Sequence, residues 1–223
     1  MLFNENIDRL LTWHNLSQEE LATRSYVPLD RVQAIMSGEE ALASEVVRVC
    51  RALGVSADRI LTRVIRPVDT SKVKLLVLDV DGVMTSGGMY VMEDGNEMKR
   101  FHTRDGRGIR ELRKTEISVA FLSGSLNGEA IRKRGERLGV KYVFSGRQPK
   151  TGVLENWMAE LCIGYDQVAY IGDDLNDIEV IGLVGLSACP SDAAPAVKEK
   201  VDLILNTEGG QGCVREFIDE YLL

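Results

Sequence analysis

Two aspartates, Asp79 and Asp81, close the apolar run in "KLLVLDVDGVMTSGG", residues 74–88. Leu75, Leu76, Val77, Leu78 and Val80 read as a buried strand, and the two-residue alternation puts both carboxylates on one side of its tip. Gly82 behind them permits a sharp turn. Two carboxylates placed this way repel each other and resist desolvation. A single helix-capping aspartate is the ordinary structural explanation, but it accounts for one acid and leaves the other without a reason. The stretch "AYIGDDLND" repeats the arrangement: an apolar strand, a glycine, Asp173 and Asp174, then Asp177 one helical turn later. Asp174 or Asn176 suits a plain N-cap. A second acidic cluster at another strand end is nevertheless costly unless a cation lies between the two. Oxygen ligands without His or Cys point to magnesium.

Ser123 in "FLSG" offers a hydroxyl and backbone N–H groups at a strand-to-helix turn, a natural cradle for phosphate. Lys150 in "RQPKTG" opens the next helix and can place an ammonium among the acids, although a lysine there is ordinarily solvated surface. These groups suit phosphoryl transfer, which needs positioning and charge neutralisation above all. A cation with Lys150 offsets repulsion between a carboxylate nucleophile and an anionic phosphate. Covalent attack by aspartate splits the displacement into two steps, and a second aspartate acts as acid while protonated.

The elements that must hold these groups come from the segment after residue 73. Strand-like runs "VKLLVLDVDG", "ISVAFLSG", "VKYVFSG", "QVAYIGDD", "VGLSACP" and "VDLIL" recur there. Amphipathic stretches such as "RDGRGIRELRK", "NGEAIRKRGERLG" and "KTGVLENWMAELCI" separate most of them. Alternating strand and helix implies an α/β fold with a parallel sheet covered on both faces, where ligands bind at the carboxyl ends of the strands. Those ends carry "DVD", "LSG" and "GDD".

In order and spacing, "DVDGVMT", Ser123, Lys150 and "GDDLND" resemble the four motifs of the haloacid dehalogenase (HAD) superfamily of phosphohydrolases, which have a Rossmannoid sheet. The resemblance implies Asp79 as nucleophile, Asp81 as general acid and base, and Ser123 and Lys150 as holders of the phosphoryl oxygens. It implies magnesium on the Asp79 carboxylate, the Asp81 backbone carbonyl and Asp173, with Asp174 and Asp177 supporting the metal from outside. About forty residues separate the first two motifs, too few for a full lid. The segment reads as a β-hairpin insert, "GMYVM" and "EMKRF" about the turn "EDGN".

The stretches "DVDGVMTSGGMY", "GNEMKRFHTRDGRGI", "QVAYIGDDLND" and "EGGQGCVREF" resemble one subfamily, the phosphatases of 3-deoxy-D-manno-octulosonate 8-phosphate and of related nine-carbon sugar acids. That resemblance implies a homotetramer joined through the hairpin at residues 88–101, with sites at subunit interfaces. It also implies a substrate-binding group of His102, Thr103, Arg104, Asp105 and Gly106 with Arg110 and Arg134. Arginine's fork suits carboxylate and phosphate. The ordinary reading of Arg110 and Arg134 is an exposed helix face. One position departs from the family pattern. Where the octulosonate enzymes carry arginine and the nine-carbon relatives glutamate, "LSGSLNGEA" has Ser125, which leaves the sugar open.

Residues 1–66 are helical in pattern. Ser17 and Glu20 form a capping box, Pro28 suits a first helical turn, and Gly38 and Gly54 read as stops. Leu21, Ala22, Val32, Ile35, Val46, Val49 and Leu53 are spaced to build one small core. "LSQEELA", "PLDRVQAIMSG" and "RVCRALGVSADRIL" resemble the Cro/C1-type helix-turn-helix family. Arg31 and Gln33 then stand as base readers, with Asp30 beside them. Eight arginines meet nine acids in this segment, a balance poor for phosphate neutralisation. DNA binding and simple packing or oligomerisation both remain open. The expected organisation is a helix-turn-helix-like domain over 1–66, a linker over 67–73 and a phosphatase domain over 74–223.

The chain has 223 residues, 44% hydrophobic and 27% charged, enough for a core. A net charge of -7 argues against a nucleic-acid coat or a polybasic membrane binder. Cys50, Cys162, Cys189 and Cys213 are scattered without zinc spacing, which fits reduced thiols. "MLFNENIDRLLTWHN" lacks a signal peptide's basic and apolar regions, and no apolar stretch reaches the ~20 residues a membrane span needs. The expectation is a cytoplasmic magnesium-dependent sugar-acid phosphatase. Its rival is a DNA-binding regulator whose HAD-like domain senses a phosphorylated ligand.

Overall fold

The computed structural model describes residues 2–55, 57–62, 70–93, 95 and 97–223, without the side chains of Asp58 and Arg59. The chain divides into two compact units, Met1–Asp69 and Thr70–Leu223. Residues 67–69 of the expected linker and the hairpin-turn residues Asp94 and Asn96 lie outside the described residues. Among the described residues, no helix is long and apolar enough to cross a membrane.

The first unit holds α1 (Leu2–Trp13), α2 (Gln18–Ser25), α3 (Leu29–Met36), α4 (Ala43–Leu53) and α5 (Ala57–Thr62). Ser17 and Glu20 close the capping box on α2 in both directions. Pro28 takes the cap position of α3 rather than its first turn, and Gly54 ends α4 in the left-handed region. Leu21, Val32, Ile35, Val49 and Leu53 are buried, with Ala22 and Val46 packed partly against them. Helix α1, inside the segment read as helical but given no bounds of its own, adds Ile7, Leu10 and Leu11 to that core. Its Asn6 is fully buried and donates from Nδ2 to the Ile60 carbonyl at 2.8 Å, tying α1 to α5.

Arg31 corrects one expectation. Its guanidinium is spent on Glu45 in a bidentate pair (3.0 and 3.1 Å), on Glu39 (3.0 Å) and on the Glu40 carbonyl. Glu45 also accepts the Leu42 N–H that opens α4. The fork therefore braces the α3–α4 connection and is not presented as a base reader.

The second unit is built on six parallel strands in the order β5-β4-β1-β6-β7-β8. They are β1 (Leu75–Leu78), β4 (Ser118–Ser123), β5 (Tyr142–Ser145), β6 (Val168–Ile171), β7 (Leu186–Cys189) and β8 (Leu203–Ile204). The hairpin is β2 (Tyr90–Val91) paired antiparallel with β3 (Glu97–Met98), shorter than its sequence suggests. Its Met89, Tyr90, Val91, Met92 and Met98 are all exposed. Helices α6 (Thr103–Leu112), α7 (Glu129–Leu138), α8 (Lys150–Leu161), α9 (Ile178–Ile181), α10 (Pro195–Lys198) and α11 (Cys213–Tyr221) complete the unit.

Every residue of β1 is buried, so both faces of the sheet are covered. Leu75, Val77, Leu122 and Tyr170 share one core with Val153, Leu154 and Met158 of α8. The chain leaves β1 toward β4 and β5, then returns to β6 on the other flank. That reversal opens a crevice at the carboxyl end of β1.

Candidate active site

Three adjacent strands deliver their ends to this crevice. Leu78 of β1 lies level with Phe121 of β4 and Ile171 of β6, and the Asp79 N–H donates to the Ile171 carbonyl at 2.9 Å. The backbone then turns tightly through Val80–Met84, closed by the Thr85 N–H on the Val80 carbonyl. Gly82 sits there at φ 94°, and a Cβ on it would lie 2.0 Å from Asp173 Oδ2. Only glycine lets the two acidic segments approach this closely. Gly209 of "EGGQG" closes the turn from outside, where a Cβ would meet the Gly82 carbonyl oxygen at 1.9 Å.

Asp79, Asp173 and Asp177 each bring a carboxylate oxygen within 4.8 Å of the others. Lys150, at the first turn of α8, reaches in with its side chain 7% exposed. Its ammonium lies 2.5 Å from Asp79 Oδ1, 2.6 Å from Asp177 Oδ1 and 3.2 Å from the Tyr170 hydroxyl. Burial alone would lower the Lys150 pKa; Asp79 and Asp177 outweigh it and hold it above the ordinary lysine value. The group is therefore a persistent cation and not a solvated surface lysine.

Asp177 has four donors on its two oxygens. Lys150 and the Tyr170 hydroxyl (2.6 Å) take Oδ1, while the Asp173 and Asp174 N–H groups (2.8 and 3.2 Å) take Oδ2. Fully buried, it organises the "GDD" turn and anchors Lys150. Asp174 is exposed and caps the short turn after it, accepting the Leu175 N–H. Ser123 is buried at the end of β4; its hydroxyl lies 3.3 Å from Asp81 Oδ2 and accepts the Ser125 N–H.

The remaining carboxylates fit a cation. Asp173 Oδ1 is buried and has no hydrogen-bond partner. The Asp173 pKa is pushed up to about 7, first by burial and then by Asp177 and Asp174. Burial also drives Asp79 well above the usual range, with Asp177 and Asp173 adding to the rise against the pull of Lys150. Clustered acids held this way are relieved by a hard divalent ion, and Asp79 with Asp173 supply the oxygen ligands it prefers. Asp177, with both oxygens occupied by donors, is the member of the trio least free to bind it.

The expected substrate group divides. Thr103 and Arg104 are exposed, and His102 caps α6 by accepting the Arg104 N–H at Nδ1. Asp105 turns inward, only 1% exposed, and accepts the Arg215 N–H at 2.8 Å. Helix α11 starts from Gly212, which has no side chain to cap it, and Asp105 satisfies one of its free N–H groups instead. Burial raises the Asp105 pKa to about 6. Gly106 is buried, and a Cβ there would lie 2.5 Å from the Arg134 guanidinium. Arg134 in turn lies over the Phe101 ring and donates to the His102 carbonyl at 3.2 Å. Arg110 is exposed on α6 and reaches the Arg137 carbonyl. Asp105, Gly106 and Arg134 thus hold this loop against α7 and α11, Thr103 and Arg104 are exposed on it, and His102 is half-buried beside Gly212.

Two groups at the site went unnoticed in the sequence. Tyr170 lies in mid-strand, where an aromatic reads as core. Lys99, at the hairpin's foot, pairs with Asp81 Oδ1 at 2.5 Å. Its only signal was a lysine beside an otherwise exposed apolar strand.

With this geometry in hand, the relatives are informative. A haloacid dehalogenase-like hydrolase family model matches residues 143–218. The 3-deoxy-D-manno-octulosonate 8-phosphate phosphatase KdsC of Yersinia pestis is 39% identical over 153 residues, spanning 69% of this chain and 81% of the relative. The cobalt-bound octulosonate 8-phosphate phosphatase of Haemophilus influenzae superposes with a TM-score of 0.66 at 38% identity, covering 69% of this chain and 89% of that one. The Moraxella catarrhalis enzyme, solved with magnesium, phosphate and KDO, gives a TM-score of 0.66 at 29% identity, covering 69% and 87%. This chain belongs to the haloacid dehalogenase-like hydrolases, in the family of the KdsC phosphatases, and is a phosphoric monoester hydrolase.

Proposed function

We propose that this phosphatase is magnesium-dependent and hydrolyses a phosphorylated eight- or nine-carbon sugar acid through an aspartyl-phosphate on Asp79. The observation that carries the reading is the meeting of Asp79, Asp173 and Lys150 at neighbouring strand ends, with Asp173 Oδ1 buried and unpartnered. A phosphoryl group held by the Lys150 ammonium and Ser123 faces the Asp79 carboxylate. Attack of an Asp79 oxygen on phosphorus breaks the bond to the sugar oxygen, which takes a proton from Asp81. Asp81 then removes a proton from the water that hydrolyses the acyl phosphate, restoring both aspartates. Magnesium, held by the Asp79 carboxylate, the Asp81 carbonyl and Asp173, would neutralise the phosphoryl oxygens.

Three features support the substrate class: similarity to octulosonate phosphatases over most of the second unit, a relative solved with KDO, and the exposed Thr103 and Arg104 beside the half-buried His102. Asp105, Gly106, Arg110 and Arg134 belong to the same proposed group, the buried ones by shaping its loop. The exposed apolar hairpin supports assembly as a homotetramer through residues 88–101. A cytoplasmic location is part of the same reading. For residues 1–66 we favour packing or oligomerisation over DNA reading within a helix-turn-helix-like domain. Arg31 is engaged internally, while Leu42 and Val47 of this unit are exposed. A salt-dependent band shift on duplex DNA would overturn that preference.

The test of the whole reading is a panel of phosphorylated sugar acids and simple phosphate esters assayed with magnesium and with chelator. Selective, metal-dependent phosphate release from an octulosonate or nonulosonate phosphate supports it. Turnover of simple esters alone leaves the phosphatase assignment and removes the substrate.

A further inference from the structure

Lys99 occupies a place that a surface hairpin has no structural reason to provide. Met98 before it is 52% exposed and Arg100 after it is exposed, yet the Lys99 side chain is only 6% exposed. Its ammonium lies 2.5 Å from Asp81 Oδ1, across 18 residues of chain. Burying a lysine stem sacrifices rotamer freedom, and a desolvated ammonium needs a carboxylate partner. Asp81 is that partner, and no other carboxylate bonds to Lys99 among the described residues. The hairpin's foot is fixed separately by the Asn127 amide, which donates to Glu97 Oε1 at 2.8 Å. Lys99 therefore approaches Asp81 from an anchored strand.

Asp81 itself has little else to fix it. It stands in the non-helical part of the turn, and its side chain is 38% exposed. Apart from Lys99, the only side chain hydrogen-bonded to it among the described residues is Ser123, whose hydroxyl lies a long 3.3 Å from Oδ2.

We propose that Lys99 is a positioning residue for Asp81: it locks the carboxylate with Oδ1 committed to the ammonium, so that Oδ2 carries the proton given to the leaving oxygen. Lys99 gives up no proton. The proton on Oδ2 passes to the sugar oxygen as the phosphorus–oxygen bond breaks, and the proton taken from water returns to Oδ2. The proposal rests on the acid–base reading of Asp81. It adds that the hairpin, not the sheet, sets the orientation of the catalytic acid. Proton transfer demands hydrogen-bond reach in one orientation, and a displacement of about 1 Å is costly.

The experiment compares wild type, Lys99→Met, Lys99→Arg and Asp81→Asn on two substrates. A sugar-acid phosphate has an alkoxide leaving group that must be protonated, whereas 4-nitrophenyl phosphate releases a stable phenolate that needs little help. Lys99→Met is expected to lower kcat about 10- to 100-fold on the sugar phosphate, within the ~10²- to 10⁴-fold worth of general acid catalysis. KM is expected to hold within about threefold, the first-turnover burst of 4-nitrophenolate, which needs no acid, to change little while the first-turnover transfer from the sugar phosphate slows, and Lys99→Arg to restore most of the loss. Equal first-turnover losses on both substrates, an effect confined to KM, or no effect would each overturn the proposal. Full sugar-phosphatase activity in Asp81→Asn overturns the acid–base reading and the proposal with it. An inactive Asp81→Asn beside an indifferent Lys99→Met overturns the proposal alone. Thermal melts confirm folding, and Lys99→Gln stands in if the methionine variant does not fold.

Discussion

Lys150→Met removes the charge at the centre of the site while nearly preserving volume. The ammonium is 7% exposed and lies within 2.6 Å of both Asp79 and Asp177. Methionine fills the space of the stem, so the packing loss is small. What remains is a set of buried carboxylates without their cation, and breaking a buried pair by removing one partner costs about 3–5 kcal/mol. For a domain of about 150 residues, each kcal/mol lowers Tm by roughly 2–4 °C, so a fall on the order of 10 °C is expected. The sign with pH follows from burial, which already raises the Asp79 pKa and does so further once Lys150 is gone. A carboxyl raised in the folded state stabilises at low pH, and that contribution is lost as pH rises through its folded value. In metal-free buffer the variant's deficit should be smaller at pH 5 than at pH 8 and grow as pH rises between them. The assay is a thermal melt with chelator across that range. A deficit under ~2 °C at pH 8, or one independent of pH, would show that Lys150 does not compensate the acids.

Asp105→Asn keeps an acceptor for the Arg215 N–H and removes a buried charge whose pKa is raised from 3.8 to about 6. Relative to wild type the variant should gain stability between pH 4 and 8, up to about 3 kcal/mol, with KM for substrate little changed. Chemical denaturation at the two pH values checks this, and a large rise in KM would show that the Asp105 charge acts on the substrate directly and does not only shape the loop. Gly82→Ala should abolish activity while leaving most of the fold, because its Cβ collides with the Asp173 carboxylate at a positive φ. Near-normal turnover by that variant would contradict the described approach of the two acidic segments.

Much of the site could be read from strand ends alone. Asp79, Asp173 and Ser123 follow apolar runs that period two marks as buried, and a parallel sheet aligns such ends by construction. The Lys150 contact with Asp79 spans 71 residues, yet it was legible because the lysine opens a helix that follows a strand. What stayed hidden depends on which face of a loop turns inward. Asp105 meets the Arg215 N–H across 110 residues to cap a helix that starts with glycine, and no local pattern announces that debt. Asp177 resembles an ordinary helix-start acid until Tyr170, an apparent core aromatic, supplies its hydroxyl. Arg31 looked free because its partners Glu39 and Glu45 sit beyond a turn. Lys99 looked solvated because its neighbours are. Helix α1 lay within the segment read as helical, but its buried face was not named because "LFNENIDRLLTW" mixes acids and asparagines into its first turns, and that face is apparent only once Ile7, Leu10 and Leu11 meet the other helices.

The central claim is that Asp79 forms a covalent bond to phosphorus during hydrolysis of a sugar-acid phosphate. Acid-quenched peptide mass spectrometry during turnover with magnesium tests it directly. A phosphoryl adduct on Asp79, absent from Asp79→Asn together with phosphate release, is the predicted result. Sustained phosphate release by Asp79→Asn, or an adduct on another residue, would contradict it.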